Sequence, residues 1–129
     1  MTATELTFAT PDLLTHLAPL SADDLDRLDF GVIGFDGTTR VCRYNRFEAE
    51  AAGLAPASVL GQPLFTSVAP CLNNFMVAQR FEDAEDDGTA LDDTIAYVLT
   101  LRMRPVKVAL RLLAAPEVPV RYVLVQRKQ

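Results

Sequence analysis

The sequence has few of the residues on which most enzymes and metal sites depend. Its 129 residues include no tryptophan, one histidine and two cysteines. The single histidine, His16, lies in a predicted leader helix, and no partner has the spacing of a metal-ligand set or a hydrolytic triad. The sequence therefore predicts a protein that is not an enzyme and that holds no metal.

Long apolar runs and an excess of positive charge are also missing. No segment approaches the roughly 20 apolar residues of a membrane-spanning helix. The stretch 1–11 has no basic residue ahead of an apolar run, so it does not resemble an export signal. The formal net charge of -5 repels a phosphate backbone. We therefore expect a soluble, cytoplasmic protein that binds neither membrane nor nucleic acid.

The two cysteines, Cys42 and Cys71, are expected to act separately. A reducing cytoplasm opposes a disulfide, and two thiols without a histidine cluster do not complete a zinc site. Cys42 falls in a predicted strand, where a thiol most simply fills the core. Cys71 follows Ala69 and Pro70, and taken alone it is also explained as a buried thiol.

Two helix-start signals occur in the first 29 residues. Thr10 before Pro11 has the form of an N-cap with proline at the first helical position. The segment that begins at Ser21 and continues to Asp24 repeats such a signal. We predict an N-terminal helical cap over 1–29 and a core over 30–129, which together form a single domain.

A β-hairpin is predicted directly after the cap. Residues 30–35 are compact and apolar, Asp36 and Gly37 supply a turn, and residues 40–44 alternate in polarity. Two such runs joined by a short Asp-Gly turn are typical of a hairpin.

Short helices are predicted in the middle of the chain. Asn45, with Glu48 three residues later, is a helix-start pattern, and Gly53 can end that helix in a left-handed conformation. A second short helix lies between Pro56 and Gly61. The next predicted helix begins at an N-cap, Asn74, and runs through Phe81. The acidic run 82–87 is most simply a solvated loop.

The last forty residues have the period of strands. Apolar side chains alternate with more polar neighbours over 95–103 and again over 106–112, and residues 118–125 form a third strand. Two strands, several short helices and three further strands predict an α+β fold, in which short helices flank a five-stranded antiparallel sheet.

The motifs are similar to those of two nested families. Those that occur in the order of a PAS domain are Phe30-Gly31-Val32-Ile33, Asp36-Gly37, Tyr44-Asn45 with Glu48, Gly53, Val59-Leu60-Gly61 and Phe65. The stretch Val68-Ala69-Pro70-Cys71, which precedes a Met103-x-Pro105 turn, resembles the photoactive yellow protein family more specifically. The resemblance covers essentially the whole chain and implies that residues 30–129 form a PAS-like core.

This resemblance implies a blue-light photoreceptor. Its pigment is 4-hydroxycinnamic acid (p-coumaric acid), bound as a thioester to Cys71 and hydrogen-bonded by Tyr44 and Glu48. Light isomerises the pigment from trans to cis, the Glu48 proton moves to the pigment oxygen, and the domain partly unfolds. The signal is expected to pass to an unidentified downstream protein, and the chain to be a monomer or a weak homodimer.

The proposed site must supply hydrogen-bond donors to the pigment oxygen. A phenol is neutral in water at pH 7, so a pigment held as phenolate needs hydrogen-bond donors at its oxygen. Tyr44 and Glu48 are four residues apart, across a strand end and the first turn of a helix, and their side chains can converge. Glu48 can donate only if it is protonated.

The resemblance also implies a pocket wall. Its residues are Ala52, Leu54, Phe65, Val68, Ala69, Pro70, Tyr97, Leu99, Leu101 and Met103. Ala52 and Leu54 stand where the family has a threonine and an arginine, so a hydroxyl and a guanidinium are missing, and Leu101 stands where it often has a tyrosine. Candidates to supply the guanidinium are Arg46, Arg102 and Arg104. We expect a shifted absorption maximum or an altered recovery rate.

Each of these assignments has a simpler structural alternative. Glu48 can be the reciprocal partner of Asn45 in a capping box. Tyr44 can be an ordinary tyrosine at a strand end, and Met103 can pack on the sheet instead of assisting dark recovery. Phe75 and Phe81 are expected in the core or pocket wall.

The function has an alternative as well. The alternative to a photoreceptor is a PAS-like ligand-sensing or protein-interaction module without a chromophore. Ala52 and Leu54 favour that alternative.

Overall fold

The computed structural model describes residues 6–100 and 105–127. The helices are α1 (Leu13–Leu17), α2 (Ala22–Leu25), α3 (Arg46–Ala52), α4 (Pro56–Val59) and α5 (Ala78–Asp87). A π-helical turn (Leu64–Val68) and a 3-10 turn (Pro70–Leu72) lie between α4 and α5. The strands are β1 (Gly31–Phe35), β2 (Val41–Tyr44), β3 (Leu91–Leu99), β4 (Val106–Ala115) and β5 (Val118–Arg127).

The five strands form one antiparallel sheet in the order β2-β1-β5-β4-β3. In the centre of the sheet Ile33 pairs with Tyr44 on one side and with Val123 on the other. The predicted α+β fold, with a five-stranded antiparallel sheet flanked by short helices, is therefore confirmed.

Each face of the sheet carries its own hydrophobic core. The main core, on the side of α3, α4 and α5, includes Ile33, Phe35, Tyr44, Phe65, Ala69, Leu72, Phe81, Leu99, Val108, Leu110, Val123 and Val125. The cap core, on the side of α1 and α2, includes Leu6, Phe8, Leu13, Leu14, Leu17, Leu25, Leu28, Phe30, Val32, Leu113, Tyr122 and Leu124. Because side chains alternate along a strand, neighbouring residues of β1 and β5 serve opposite cores.

Two arginines of the sheet anchor the N-terminal segment. Arg43 donates to the carbonyls of Leu17 (3.0 Å) and Leu20, and to the Tyr122 hydroxyl at 2.8 Å. Arg111 donates to the carbonyls of Phe8 and Thr10 at 2.9 and 2.8 Å. The helical cap is therefore attached to the sheet by directional bonds as well as by the apolar contacts of the cap core.

Two predicted helix starts have different outcomes. The Ser21 hydroxyl accepts from the Asp24 N–H, and the Asp24 carboxylate accepts from the Ser21 N–H, so a complete capping box starts α2. The first helix begins at Leu13 rather than at Pro11. The reason is local, since the Thr10 hydroxyl accepts from the backbone N–H of Thr7 at 2.8 Å and closes a separate turn.

The acidic run 82–87 was predicted as a loop, and this prediction is wrong. The run belongs to α5, which ends where Gly88 adopts a left-handed conformation with φ of 66°. Phe81 and Ala84 of α5 are buried. Burial of this apolar stripe holds the helix on the sheet while most of the carboxylates remain exposed.

Three further expectations about single residues fail. Asn74 does not cap a helix that continues directly from it, because its side-chain oxygen accepts from the N–H groups of Met76 and Val77 and α5 begins only at Ala78. Phe75 therefore lies before the helix, and it is 79% exposed rather than in the core. Cys42 is exposed too, because the strand register shifts between Gly34 and Phe35 and leaves Cys42 without a partner residue on β1.

Candidate functional site

Cys71 lies on a short turn that is seated against the main core. It is the middle residue of the 3-10 turn, which closely follows the π-helical turn. Its neighbours Ala69 and Leu72 are buried in the main core, Pro70 is exposed, and Cys71 itself is half-buried and packs on that core. Single π-helical turns are frequent at functional sites.

Hydrogen bonds join this turn to β3. The Tyr97 hydroxyl donates to the carbonyl oxygen of Cys71 at 2.5 Å. The side-chain amide of Asn74 donates to the same carbonyl at 3.2 Å and to the Tyr97 oxygen at 2.6 Å. The backbone of Cys71 is thus held from two directions. The sequence pattern assigned Asn74 only to helix capping and missed this role.

Tyr44 ends β2 with its ring in the main core and only 8% of its surface exposed. Burial raises the pKa of its hydroxyl, the Glu48 carboxylate raises it further, and the Arg127 guanidinium opposes both effects. The net direction is upward, so the Tyr44 hydroxyl keeps its proton at neutral pH. It is therefore able to act as a hydrogen-bond donor.

Glu48 lies in the first turn of α3 and is 1% exposed. The side-chain oxygen of Asn45 caps the helix by accepting from the Glu48 N–H at 3.1 Å. The Asn45 N–H, however, donates to the carbonyl of Val32 rather than to the Glu48 carboxylate. The capping-box alternative for the Glu48 side chain is therefore not what the structure shows.

The partner of the Glu48 side chain is Arg127, at the end of β5. Its two terminal nitrogens donate to the two carboxylate oxygens at 2.8 and 3.1 Å. The guanidinium is mostly buried, with 19% of the side chain exposed. A bidentate, charge-assisted pair of this kind fixes both groups in position.

Arg127 was not among the arginines suggested by the sequence. Arg46 is exposed, and Arg102 and Arg104 lie outside the described residues. A signal was nevertheless present, because Val123 and Val125 face the main core and alternation along the strand places Arg127 on that same face.

Gly31 is a second residue that the site needs and that sequence reasoning used only as part of a motif. A Cβ at this position would lie 2.1 Å from the Glu48 carboxylate oxygen and 3.1 Å from its carboxyl carbon. The Glu48 side chain therefore occupies the space above the backbone of β1. Only glycine leaves that space free.

The predicted pocket residues fall into five groups. Phe65, Ala69 and Leu99 belong to the main core, Leu54, Val68 and Tyr97 pack against it, and Ala52 is buried. Pro70 is exposed, and Leu101 and Met103 lie outside the described residues. The structure thus brings most of these side chains to the core that also contains Tyr44, while their role as a pocket wall stays a prediction.

An open groove lies beside Tyr97, on β3 and β4. Its volume is about 490 Å³, and its walls are formed by Met76, Ala96, Tyr97, Val98, Lys107 and Val108. Tyr97 is common to the groove and to the hydrogen bonds at Cys71. Within the two described ranges, no helix is long and apolar enough to cross a membrane, and no group of three or more His, Cys, Asp or Glu residues could hold a metal ion.

The fold is that of a PAS domain. The PAS domain of the RpfR quorum-sensing receptor of Cronobacter turicensis, solved in complex with C12:0, matches with a TM-score of 0.60 at 17% identity. That match covers 78% of this chain and 95% of the other. At this level of identity the likeness concerns the fold alone.

A narrower group of relatives shares both fold and sequence. The photoactive yellow protein domain of the sensor histidine kinase Ppr from Rhodospirillum centenum has a TM-score of 0.76 at 33% identity, over 84% of this chain and 94% of that domain. The photoactive yellow protein of Halochromatium salexigens is 36% identical over 101 residues, which are 78% of this chain and 80% of the relative.

A second curated relative gives the same result. The photoactive yellow protein of Rhodothalassium salexigens is 32% identical over 101 residues, with 78% of this chain and 80% of the relative covered. No protein-family model matches the sequence. The chain belongs to the photoactive yellow protein family.

Proposed function

We propose that this chain is a blue-light photoreceptor whose Cys71 carries 4-hydroxycinnamic (p-coumaric) acid as a thioester. The observation that carries the proposal is the position of Cys71 on a hydrogen-bonded turn that packs on the same core as Tyr44, in a chain of the photoactive yellow protein family. Cys71 would hold the pigment, and Tyr44, which lies in the same core, would donate a hydrogen bond to it.

The chemistry of the surrounding residues fits such a group. A buried phenolate requires donors that offset the loss of hydration. The Tyr44 hydroxyl keeps its proton, since burial raises its pKa. Glu48 is a buried carboxyl group whose charge also acts on Tyr44. The aromatic and aliphatic side chains of the main core exclude water from that region.

Attachment requires an activated form of the acid, such as its anhydride or a coenzyme A thioester. The Cys71 sulfur bonds to the acyl carbon, the leaving group departs, and the thiol proton leaves with it. When bound, the pigment supplies absorption of blue light and isomerisation about its double bond. The turn at Cys71 fixes the attached end, because Tyr97 and Asn74 hold its carbonyl.

The protein residues then have separate tasks. Tyr44 donates a hydrogen bond and retains its proton. Glu48 holds a proton at its carboxyl oxygen and releases it after light absorption. The resulting carboxylate is almost fully buried, and moving a charge out of water costs several kcal/mol even where a partner offsets part of that cost, which is comparable with a small domain's stability. Partial loosening of the domain follows and exposes a surface to a downstream protein.

Reconstitution with activated 4-hydroxycinnamic acid tests the proposal. We expect a yellow protein that bleaches in blue light and recovers in the dark. Cys71→Ala should remain colourless, whereas Cys42→Ala removes only an exposed thiol and should become yellow. A folded wild-type chain that forms no adduct would overturn the photoreceptor function.

One structural feature favours a second function, a PAS-like ligand-sensing or interaction module without pigment. Ala52 is buried and Leu54 packs against the main core, so both positions are apolar where the family resemblance implied a hydroxyl and a guanidinium. The same reconstitution separates the two functions. The module predicts a folded protein that stays colourless with either cysteine present.

A further inference from the structure

The ion pair between Glu48 and Arg127 has a role beyond the two donors of the proposed pigment site. Both carboxylate oxygens of Glu48 accept hydrogen bonds from the guanidinium, at 2.8 and 3.1 Å. This geometry suits an ionised carboxylate, because a protonated carboxyl has one oxygen that carries hydrogen and cannot accept in the same way. It is the arrangement that Glu48 adopts once it has released its proton, whereas the dark state in which Glu48 donates to the pigment requires this pair to be open.

Arg127 reaches Glu48 because of the way that β5 ends. Val123 and Val125 face the main core, and Arg127 continues the alternation on the same face. Its backbone pairs with Val108 of β4. The side chain reaches the Glu48 carboxylate, which occupies the space that Gly31 of β1 leaves free. The C-terminal end of β5, the middle strand of the sheet, is thereby connected to α3.

The surroundings leave Glu48 dependent on this partner. The Glu48 side chain is 2% exposed, so water cannot replace the guanidinium. Leu54, the position at which the family resemblance implied an arginine, is apolar and packs on the main core. In this chain β5 supplies a guanidinium that the segment after α3 does not.

We propose that Arg127 is the positioning residue that stabilises Glu48 as a carboxylate after proton transfer, and that this ion pair prolongs the light-activated state. The inference rests on the proposed photoreceptor function. In the step concerned, the Glu48 O–H bond breaks and its proton binds the pigment oxygen, so the negative charge moves to Glu48 and the total charge is unchanged. Recovery returns the proton, which requires that the bidentate pair with Arg127 opens.

Dark recovery after a blue flash measures this role. In the reconstituted protein, Arg127→Gln removes the charge, and recovery should be at least tenfold faster than in the wild type. Arg127→Lys keeps the charge but loses the bidentate geometry, and should give an intermediate rate. Arg121→Gln is the matched control, because Arg121 lies on the same strand and pairs at 3.2 Å with Glu85, which is 58% exposed. Its recovery should equal that of the wild type.

A second measurement tests the pair independently of any pigment. Urea unfolding of the full chain before reconstitution is compared for Arg127→Gln, Glu48→Gln and the double variant. Each single change should lower the unfolding midpoint, because it leaves a buried polar group without its partner. The unfolding midpoint of the double variant should be no lower than that of the less stable single variant. Fully additive losses would show that the two side chains do not interact, and would overturn the inference.

The outcomes separate the inference from the function on which it rests. If the wild type forms no adduct, the photoreceptor function fails and the role of Arg127 in the light state fails with it. If the adduct forms and Arg127→Gln recovers at the wild-type rate, the inference is wrong while the photoreceptor function stands. Should Arg127→Gln not fold, the rate of Arg127→Lys decides, and an unchanged rate would count against the inference.

Discussion

Gly31 and Glu48 are in direct steric contact across β1 and α3. A Cβ at Gly31 would lie 2.1 Å from the nearest Glu48 carboxylate oxygen, far inside any normal contact. The glycine of the Phe-Gly-Val-Ile motif therefore determines where the Glu48 carboxyl group can lie. Because the same carboxyl group pairs with Arg127, this single backbone position controls the geometry of the whole charged group.

Gly31→Ala should displace Glu48 and separate it from Arg127. Breaking a buried pair without removing its charges is strongly unfavourable, and we expect a loss of about 3 kcal/mol in the free energy of unfolding. Urea denaturation measures it. Gly37→Ala is the control, since a Cβ there meets its nearest neighbour only at 3.5 Å. Equal stability of the two variants would contradict the contact.

Glu48→Gln should shift the absorption maximum of the reconstituted protein to longer wavelength. An amide is a weaker donor than a carboxylic acid, so the pigment's negative charge remains more delocalised. A visible spectrum suffices to measure the shift. Glu50→Gln changes an exposed residue of the same helix and should leave the colour unaltered. An unchanged spectrum in Glu48→Gln would remove Glu48 from the pigment site.

Tyr97→Phe should alter the pigment as well as stability. The variant loses the hydroxyl that donates to the Cys71 carbonyl and accepts from Asn74, at a cost of about 1 kcal/mol. The control is Tyr122→Phe, which removes a hydroxyl that accepts from the Arg43 guanidinium on the opposite face of the sheet, at a cost of about 2 kcal/mol because the donor is charged. Only Tyr97→Phe should change the absorption or recovery of the reconstituted protein, and identical photochemistry in both variants would argue against a role for the turn.

Arg111→Gln should release the N-terminal segment from the sheet. The guanidinium donates to the carbonyls of Phe8 and Thr10 and pairs with Asp92 at 2.8 Å. Hydrogen bonds to a charged group contribute about 2 kcal/mol, so amide exchange over residues 6–10 should accelerate.

The control for this experiment is Arg80→Gln. Arg80 also pairs with an aspartate, Asp93, but both side chains are substantially exposed, at 40% and 47%. Such pairs contribute less than about 1 kcal/mol. If Arg80→Gln accelerates exchange at the N-terminus as much as Arg111→Gln does, the anchoring role of Arg111 is refuted.

Local patterns were sufficient for the fold and for part of the site. Alternating side chains and turn residues predicted five strands, although β3 begins at Leu91, before the predicted start at residue 95, and the predicted end at residue 103 lies outside the described residues. The Asn45 and Gly53 signals predicted α3 correctly. Tyr44 ends a strand and Glu48, four residues later, lies in the first turn of the next helix, so the sequence already predicted that they are close. Cys71 required the family resemblance, since a lone thiol gives no local signal.

Long-range contacts were beyond those patterns. The pairing of Arg127 with Glu48 depends on strand register between residues 79 positions apart. Asn74 looked like a helix cap because its role at Cys71 depends on where β3 places Tyr97. The acidic run 82–87 was predicted as a loop because its residues are mostly charged. It is helical because Phe81 and Ala84, three residues apart, are buried on one face of α5.

Mapping the covalent bond is the most direct test of the central claim. After reconstitution with activated 4-hydroxycinnamic acid, the protein is digested, and the masses of the two cysteine-containing peptides are measured by mass spectrometry. We expect one added 4-hydroxycinnamoyl group on the peptide with Cys71 and none on the peptide with Cys42, and this mass should be lost when hydroxylamine cleaves the thioester. A pigment attached at Cys42, or no covalent mass on either peptide, would contradict it.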